Sequence, residues 1–134
     1  MLLSAESDGY VLDADQSLQL ARQMRRSNKP VEACRILVSG LRADSTAAML
    51  YGELGVTLFG LKLFERAVQA LREAIRLRPD VARYQLNLSG VYHHLGRYQE
   101  CIDLASRLVE RDDRDGMAHM NLGLASSCIG NWEI

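Results

Sequence analysis

Apolar residues recur along this chain at spacings of three and four, as in Tyr51, Leu54 and Leu58 and again in Ala67, Val68, Leu71, Ala74 and Ile75. That is the period of one face of an α-helix, and no stretch alternates with the period of two that a half-buried strand requires. The predicted elements are therefore all helical. Slid along itself, the sequence matches at a lag of 34 residues: Leu20, Leu54, Leu88 and Leu122 fall in register, each followed by a small residue, Ala21, Gly55, Ser89 and Gly123. Pro30, Phe64, Tyr98 and Trp132 coincide, as do Ala33, Ala67 and Cys101, then Leu37, Leu71 and Ala105, then Leu41, Ile75 and Val109. A fixed period of this length marks a repeat architecture. The units predicted are residues 14–47, 48–81 and 82–115, with a broken fourth at 116–134, behind an N-terminal extension of residues 1–13.

Each unit holds two amphipathic helices with a turn between them. Asn28, Gly60, Gly96 and Gly130 are the expected turn residues, because a residue that tolerates positive φ ends a helix cheaply. Pro30 suits the first turn of the helix that follows. Ser45, Asp80 and Asp115 precede apolar-periodic runs and are expected to cap the free amides there. Gly55, Ser89, Gly123, Ala67 and Cys101 are small enough to let helices approach to roughly 8–10 Å, so that Gly55→Leu would overpack. One helix pair has too little apolar surface to stand alone, and stability must come from the stacking of neighbours.

The pattern Tyr51-x-x-Leu54-Gly55-x-x-Leu58, followed by Ala67-x-x-x-Leu71, Ala74 and Pro79, resembles the tetratricopeptide repeat. The third unit carries Leu88, Tyr92, Gly96, Tyr98 and Ala105 but departs with Ser89 for Gly, Cys101 for Ala and Asp113 for Pro. The fourth, Asn121-Leu122-Gly123 with Gly130-Asn131-Trp132, matches until it breaks off. The resemblance implies an all-α, right-handed solenoid of antiparallel helix pairs, with the first helix of each pair lining a concave face where ligands lie. On that reading the inner face takes Leu18, Gln19, Arg22, Arg25 and Arg26 from the first unit and Met49, Glu53, Val56 and Phe59 from the second. The third contributes Arg83, Leu86, Asn87, Gly90, His93 and His94, and the fourth Met117, Met120, Asn121, Leu124 and Ser127.

This face has three kinds of candidate chemistry. Its apolar residues, several of them flexible methionines, exceed what a solvated face needs and suit an adaptable peptide site. Asn87 and Asn121 are in register, with Gln19 and Glu53 at the matching places; such a row either bonds an extended peptide backbone or is spent on a neighbouring helix. Arg22, Arg25, Arg26 and Arg83 either attract acidic side chains or a terminal carboxylate, or are solvated and paired with nearby acids. The family's carboxylate clamp of Lys, Asn and Arg has no residue-by-residue match here.

Composition narrows the partners. A 134-residue chain that is 48% hydrophobic and 25% charged is a folded domain. Sixteen Lys and Arg against 17 Asp and Glu leave a net charge of -1, which provides no field for nucleic acid. Cys34, Cys101 and Cys128 are unpaired by pattern and suit a reducing compartment. The start MLLSAESDGYVL has no secretion-signal core, and no run approaches the roughly 20 apolar residues of a membrane span. A cytoplasmic protein with no membrane insertion is expected. The adjacent His93 and His94 point about 100° apart and form no metal set with other ligands. No phosphate-binding loop or catalytic constellation is present, so neither cofactor nor catalysis is expected. The leading reading is a non-catalytic adaptor holding a peptide or helix of a partner protein in its groove. Two alternatives are a homo-oligomer formed through an apolar C-terminal edge around Leu122 and Ile129, and the leading part of a longer protein such as a bacterial glycosyltransferase that carries repeats of this kind.

Overall fold

The computed structural model describes residues 12–112 and 114–130. Among these there are seven α-helices and no strand: α1 (Ala14–Arg26), α2 (Pro30–Ala43), α3 (Ala48–Gly60), α4 (Phe64–Leu77), α5 (Ala82–His94), α6 (Tyr98–Arg111) and α7 (Gly116–Gly130). Asn131, Trp132, Glu133, Ile134 and Asp113 lie outside the described residues, as does nearly all of the N-terminal extension. Each helix packs on the next, and α1 on α3, α3 on α5 and α5 on α7. The first helices of the pairs thus form one continuous layer, as expected of a helical-repeat superhelix.

The core divides into two clusters. One gathers Leu18, Ala21, Ala33, Ile36, Leu37 and Leu50 around the first pair. The other gathers Leu58, Ala67, Val68, Leu71, Leu88 and Cys101 further along. Leu54 packs against both, and so joins them. The close approaches occur where a side chain is missing. A Cβ on Gly55 would fall 2.6 Å from Leu71 Cγ, one on Gly40 2.8 Å from Ser17 Oγ, and one on Gly52 would strike the ring of Tyr84. Ser89 is fully buried, and its hydroxyl donates to the Leu86 carbonyl at 2.7 Å. Between pairs, Arg72 Nη2 donates to the Tyr92 hydroxyl at 2.8 Å while Arg97 lies over the Tyr92 ring, 4.7 Å from its centre, which fastens α4, α5 and α6 together.

The turn within each pair is built the same way three times. Asn28, Lys62 and Gly96 have φ of 62°, 63° and 75°. The following amides, of Lys29, Leu63 and Arg97, return to the carbonyls of Met24, Leu58 and Tyr92 at 2.8, 2.9 and 2.9 Å. This is the bond pattern of a Schellman cap. Gly60, expected from its type to be the turn residue, instead lies in the last turn of α3; the 34-residue register selects Lys62.

Capping also departs from expectation at two joints. Asp115 Oδ1 accepts the amide of Ala118 at 3.1 Å. Ser45 and Asp80 cap nothing: α3 starts after Ala47 and α5 after Val81, neither with a side-chain cap. Asp44 Oδ1 accepts from Thr46 N and Oγ1 in the first joint, while Asp80 is held by both Arg78 Nε and Nη2 in the second, at 3.1 and 2.9 Å. That guanidinium lowers the Asp80 carboxyl to about 2. A capping box between Asp13 and Gln16 opens α1.

Candidate functional site

Three first helices, α3, α5 and α7, enclose a hollow of about 360 Å³ on one side of the layer. Helix α3 contributes Val56 and Phe59, one turn apart. Behind them Leu71 of α4, itself fully buried, fills the space that a side chain on Gly55 would take. Helix α5 contributes Leu86, Asn87, Gly90 and Val91, with His93 and His94 at its end. Helix α7 contributes Met117, Met120, Asn121 and Leu124. None of these side chains carries a fixed charge. Met117, Met120 and Leu124 are 53%, 48% and 49% exposed, an unusual amount of large apolar surface for one helix flank.

One end of the hollow is an aromatic wall. Phe59 meets Phe64 at 5.5 Å and the edge of His94 at 4.8 Å, and His93 meets Tyr98 at 5.5 Å. His94 Nδ1 lies 3.1 Å from the Gly90 carbonyl, which fixes the ring against α5. The neighbouring Cys128 thiol raises the Tyr98 phenol above its ordinary range. Burial likewise raises the thiols of Cys34 and Cys101, which keeps them protonated and inert. Among the described residues, no three His, Cys, Asp or Glu side chains gather as a metal site would need.

The amides of the row do not behave alike. Asn121 turns inward, and its Nδ2 donates to Ser89 Oγ at 2.9 Å. The Ser at position 89, where the repeat pattern has Gly, thus supplies the acceptor that takes Asn121 out of the row. Asn87 is half-buried at the hollow's edge.

The other expected inner-face residues are elsewhere. Leu18 is buried, 9% exposed, in the core of the first pair, because α1 presents that side to α2 and α3. Glu53 is not open to a guest: it is 8% exposed, with Arg22 Nε donating to Oε1 at 3.1 Å and Arg25 Nη2 2.7 Å from Oε2. Met49 is exposed at the start of α3, and Arg26, Arg83, Gln19 and Ser127 are exposed outside the hollow's lining. Leu71 and Phe64, both on the second helix of their pair, are not among the inner-face residues expected from the sequence; Leu71 is buried behind Gly55 and Phe64 meets Phe59. No described helix is long and apolar enough to cross a membrane.

Comparison with known proteins agrees with this fold. The profile of the tetratricopeptide-repeat family matches residues 53–116. Hsp70-Hsp90 organizing protein 1 of Arabidopsis thaliana is 37% identical over 59 residues, which are 44% of this chain and 10% of the relative. This chain thus spans about a tenth of that protein's length. Among solved structures, the MamA RS-1 ArsTM double mutant superposes with a TM-score of 0.82 at 22% identity, over 90% of this chain and 67% of the other. The first TPR of Spaghetti (RPAP3), bound to the HSP90 peptide SRMEEVD, gives 0.81 at 18% identity, over 85% of this chain and 90% of that one. With its helix pairs in 34-residue register and stacked in this manner, the chain is an all-α repeat scaffold that carries tetratricopeptide repeats across residues 53–116.

Proposed function

We propose that this chain is a non-catalytic adaptor that holds the apolar face of a helix from a partner protein in the hollow between α3, α5 and α7. The observation that carries this reading is the lining: Val56, Phe59, Leu86, Met117, Met120 and Leu124 with no fixed charge among them. An extended peptide leaves its backbone amides and carbonyls to be satisfied by the site, and with Asn121 spent on Ser89 the amide row is cut to Asn87. A helix satisfies its own backbone and needs only apolar anchors at i, i+3, i+4 and i+7. Exposed methionines adapt to such anchors at little cost in order. Small interfaces of this kind bind in the micromolar range, about -8 kcal/mol. The Spaghetti domain, which has the same fold, holds a peptide, and this supports a protein partner in general terms. Unpaired cysteines favour a reducing, cytoplasmic setting.

The test is capture of partner proteins by wild type and by the double variant Leu86→Glu with Met120→Glu, read by mass spectrometry with helicity as the control. Loss of specific partners with unchanged helicity is expected; equal capture by both forms rejects the hollow. A second reading is favoured by one observation on α7. Gly123 stands in register with Gly55, yet nothing among the described residues lies within 4 Å of where its Cβ would be. That flank offers a docking face to a second copy of the chain, and the concentration dependence of sedimentation separates the two readings.

A further inference from the structure

Two guanidiniums converge on one carboxylate where α1 meets α3. Arg22 Nε donates to Glu53 Oε1 at 3.1 Å, and Arg25 Nη2 approaches Oε2 to 2.7 Å without the alignment of a hydrogen bond. The acid is inside and the bases are outside: Glu53 is 8% exposed, against 39% for Arg22 and 41% for Arg25. A carboxylate withdrawn from water is tolerated only with such partners, so the pairing is enforced by burial and differs from an exposed ion pair, which is worth little. Glu53 also stands in the same 34-residue register as Asn87 and lies one turn before Val56, both of which line the hollow. The arginines therefore belong to the same inner row as the site.

We infer that Glu53 fills from within the place that an acidic guest's carboxylate would take, and so makes the groove select an uncharged, apolar segment over an acidic one. The inference rests on the hollow being the guest's seat, and adds what that seat refuses. An incoming carboxylate would have to share Arg22 and Arg25 with Glu53, whose charge already offsets theirs and which, being buried, cannot give up its cations without cost. The lining of the hollow itself has no Lys or Arg to receive the guest instead. Glu53 is thus a specificity-determining residue that touches no guest.

The experiment is fluorescence anisotropy with the full chain and two labelled probes. One is the acidic peptide SRMEEVD with a free terminal carboxylate. The other is an amphipathic helical peptide with leucines on one face and lysines and glutamates alternating on the other. Wild type is expected to leave the acidic probe unsaturated to about 1 mM, while Glu53→Gln binds it at least about tenfold tighter, one charge-assisted bond's worth. That gain should vanish in high salt and in the triple variant Glu53→Gln, Arg22→Ala, Arg25→Ala. Glu53→Ala removes the acceptor altogether and provides a second reading should the amide disturb folding. Tight binding of the acidic probe by wild type, or no gain in either folded variant, overturns the inference. The helical probe reports separately on the hollow: its binding should be lost in Leu86→Glu with Met120→Glu and unmoved in Glu53→Gln. Loss of the first contrast with retention of the acidic-probe gain would reject the hollow while leaving the role of Glu53 standing.

Discussion

Gly55 and Gly123 hold the same place in their repeats and meet different surroundings. A methyl on Gly55 would sit 2.6 Å from the branched Cγ of Leu71, which cannot swing aside as a chain end would, whereas a methyl on Gly123 meets nothing within 4 Å among the described residues. Gly55→Ala is expected to destabilise by about 1–3 kcal/mol through overpacking. Gly123→Ala should stabilise by about 0.5–1 kcal/mol, since a mid-helix glycine costs that much relative to alanine. Denaturant melts of the two variants give opposite signs if this is right, and equal signs if the register position alone decides. The sequence makes both residues small but cannot say which has a neighbour. Glu53 shows the same limit. Its register with Asn87 and Asn121 is visible at a lag of 34, yet its partners lie at separations of 31 and 28, outside the repeat, so its withdrawal from the inner face is visible only in the fold. Eleven of the twenty residues expected on the inner face line the hollow, because helical period and register together determine which side of α3, α5 and α7 faces inward.

At the scale of elements, the turn inside each pair joins one first helix to its second. Asn28, Lys62 and Gly96 take the left-handed position in three turns with the same bond back to the preceding helix. Asn and Gly adopt that conformation readily, while for Lys the Cβ clashes with the following carbonyl, at about 1–2 kcal/mol. Lys62→Gly is therefore expected to raise stability by about 0.5–1 kcal/mol, part of the relief being lost to the greater freedom of glycine in the unfolded chain. Thermal unfolding checks it, and an unchanged or lower midpoint contradicts it. Residue type alone points to Gly60 here, and the repeat register points two residues later; the register prevails because the cap is a property of the whole turn. The joints between pairs were less legible. Ser45 and Asp80 are sound capping types, but short local partners, Thr46 bonding Asp44 and Arg78 bonding Asp80, shape these loops before the next helix begins.

At the scale of the molecule, the layer of first helices gives the chain its curvature and an apolar hollow. Helix α7 is central to both: it closes the hollow with Met117, Met120 and Leu124 while packing mainly on α6. The architecture was legible because each repeat states the same pattern anew, and a solenoid is the sum of its neighbours. The chemistry of the guest was less so, because it depends on which polar groups the fold leaves unspent, Asn87 and not Asn121, and no free arginine pair. A partner helix lying against α7 and α5 would be directly observable through the methionines. The chain has five, of which Met117 and Met120 line the hollow, Met24 packs beside the first core cluster and Met49 is exposed at the start of α3. Methyl NMR of methionine-labelled protein titrated with the amphipathic helical peptide should move the Met117 and Met120 signals together and leave Met24 in place. Signals of Met117 and Met120 that stay still at saturation, or shifts confined to Met24 and Met49, would contradict it.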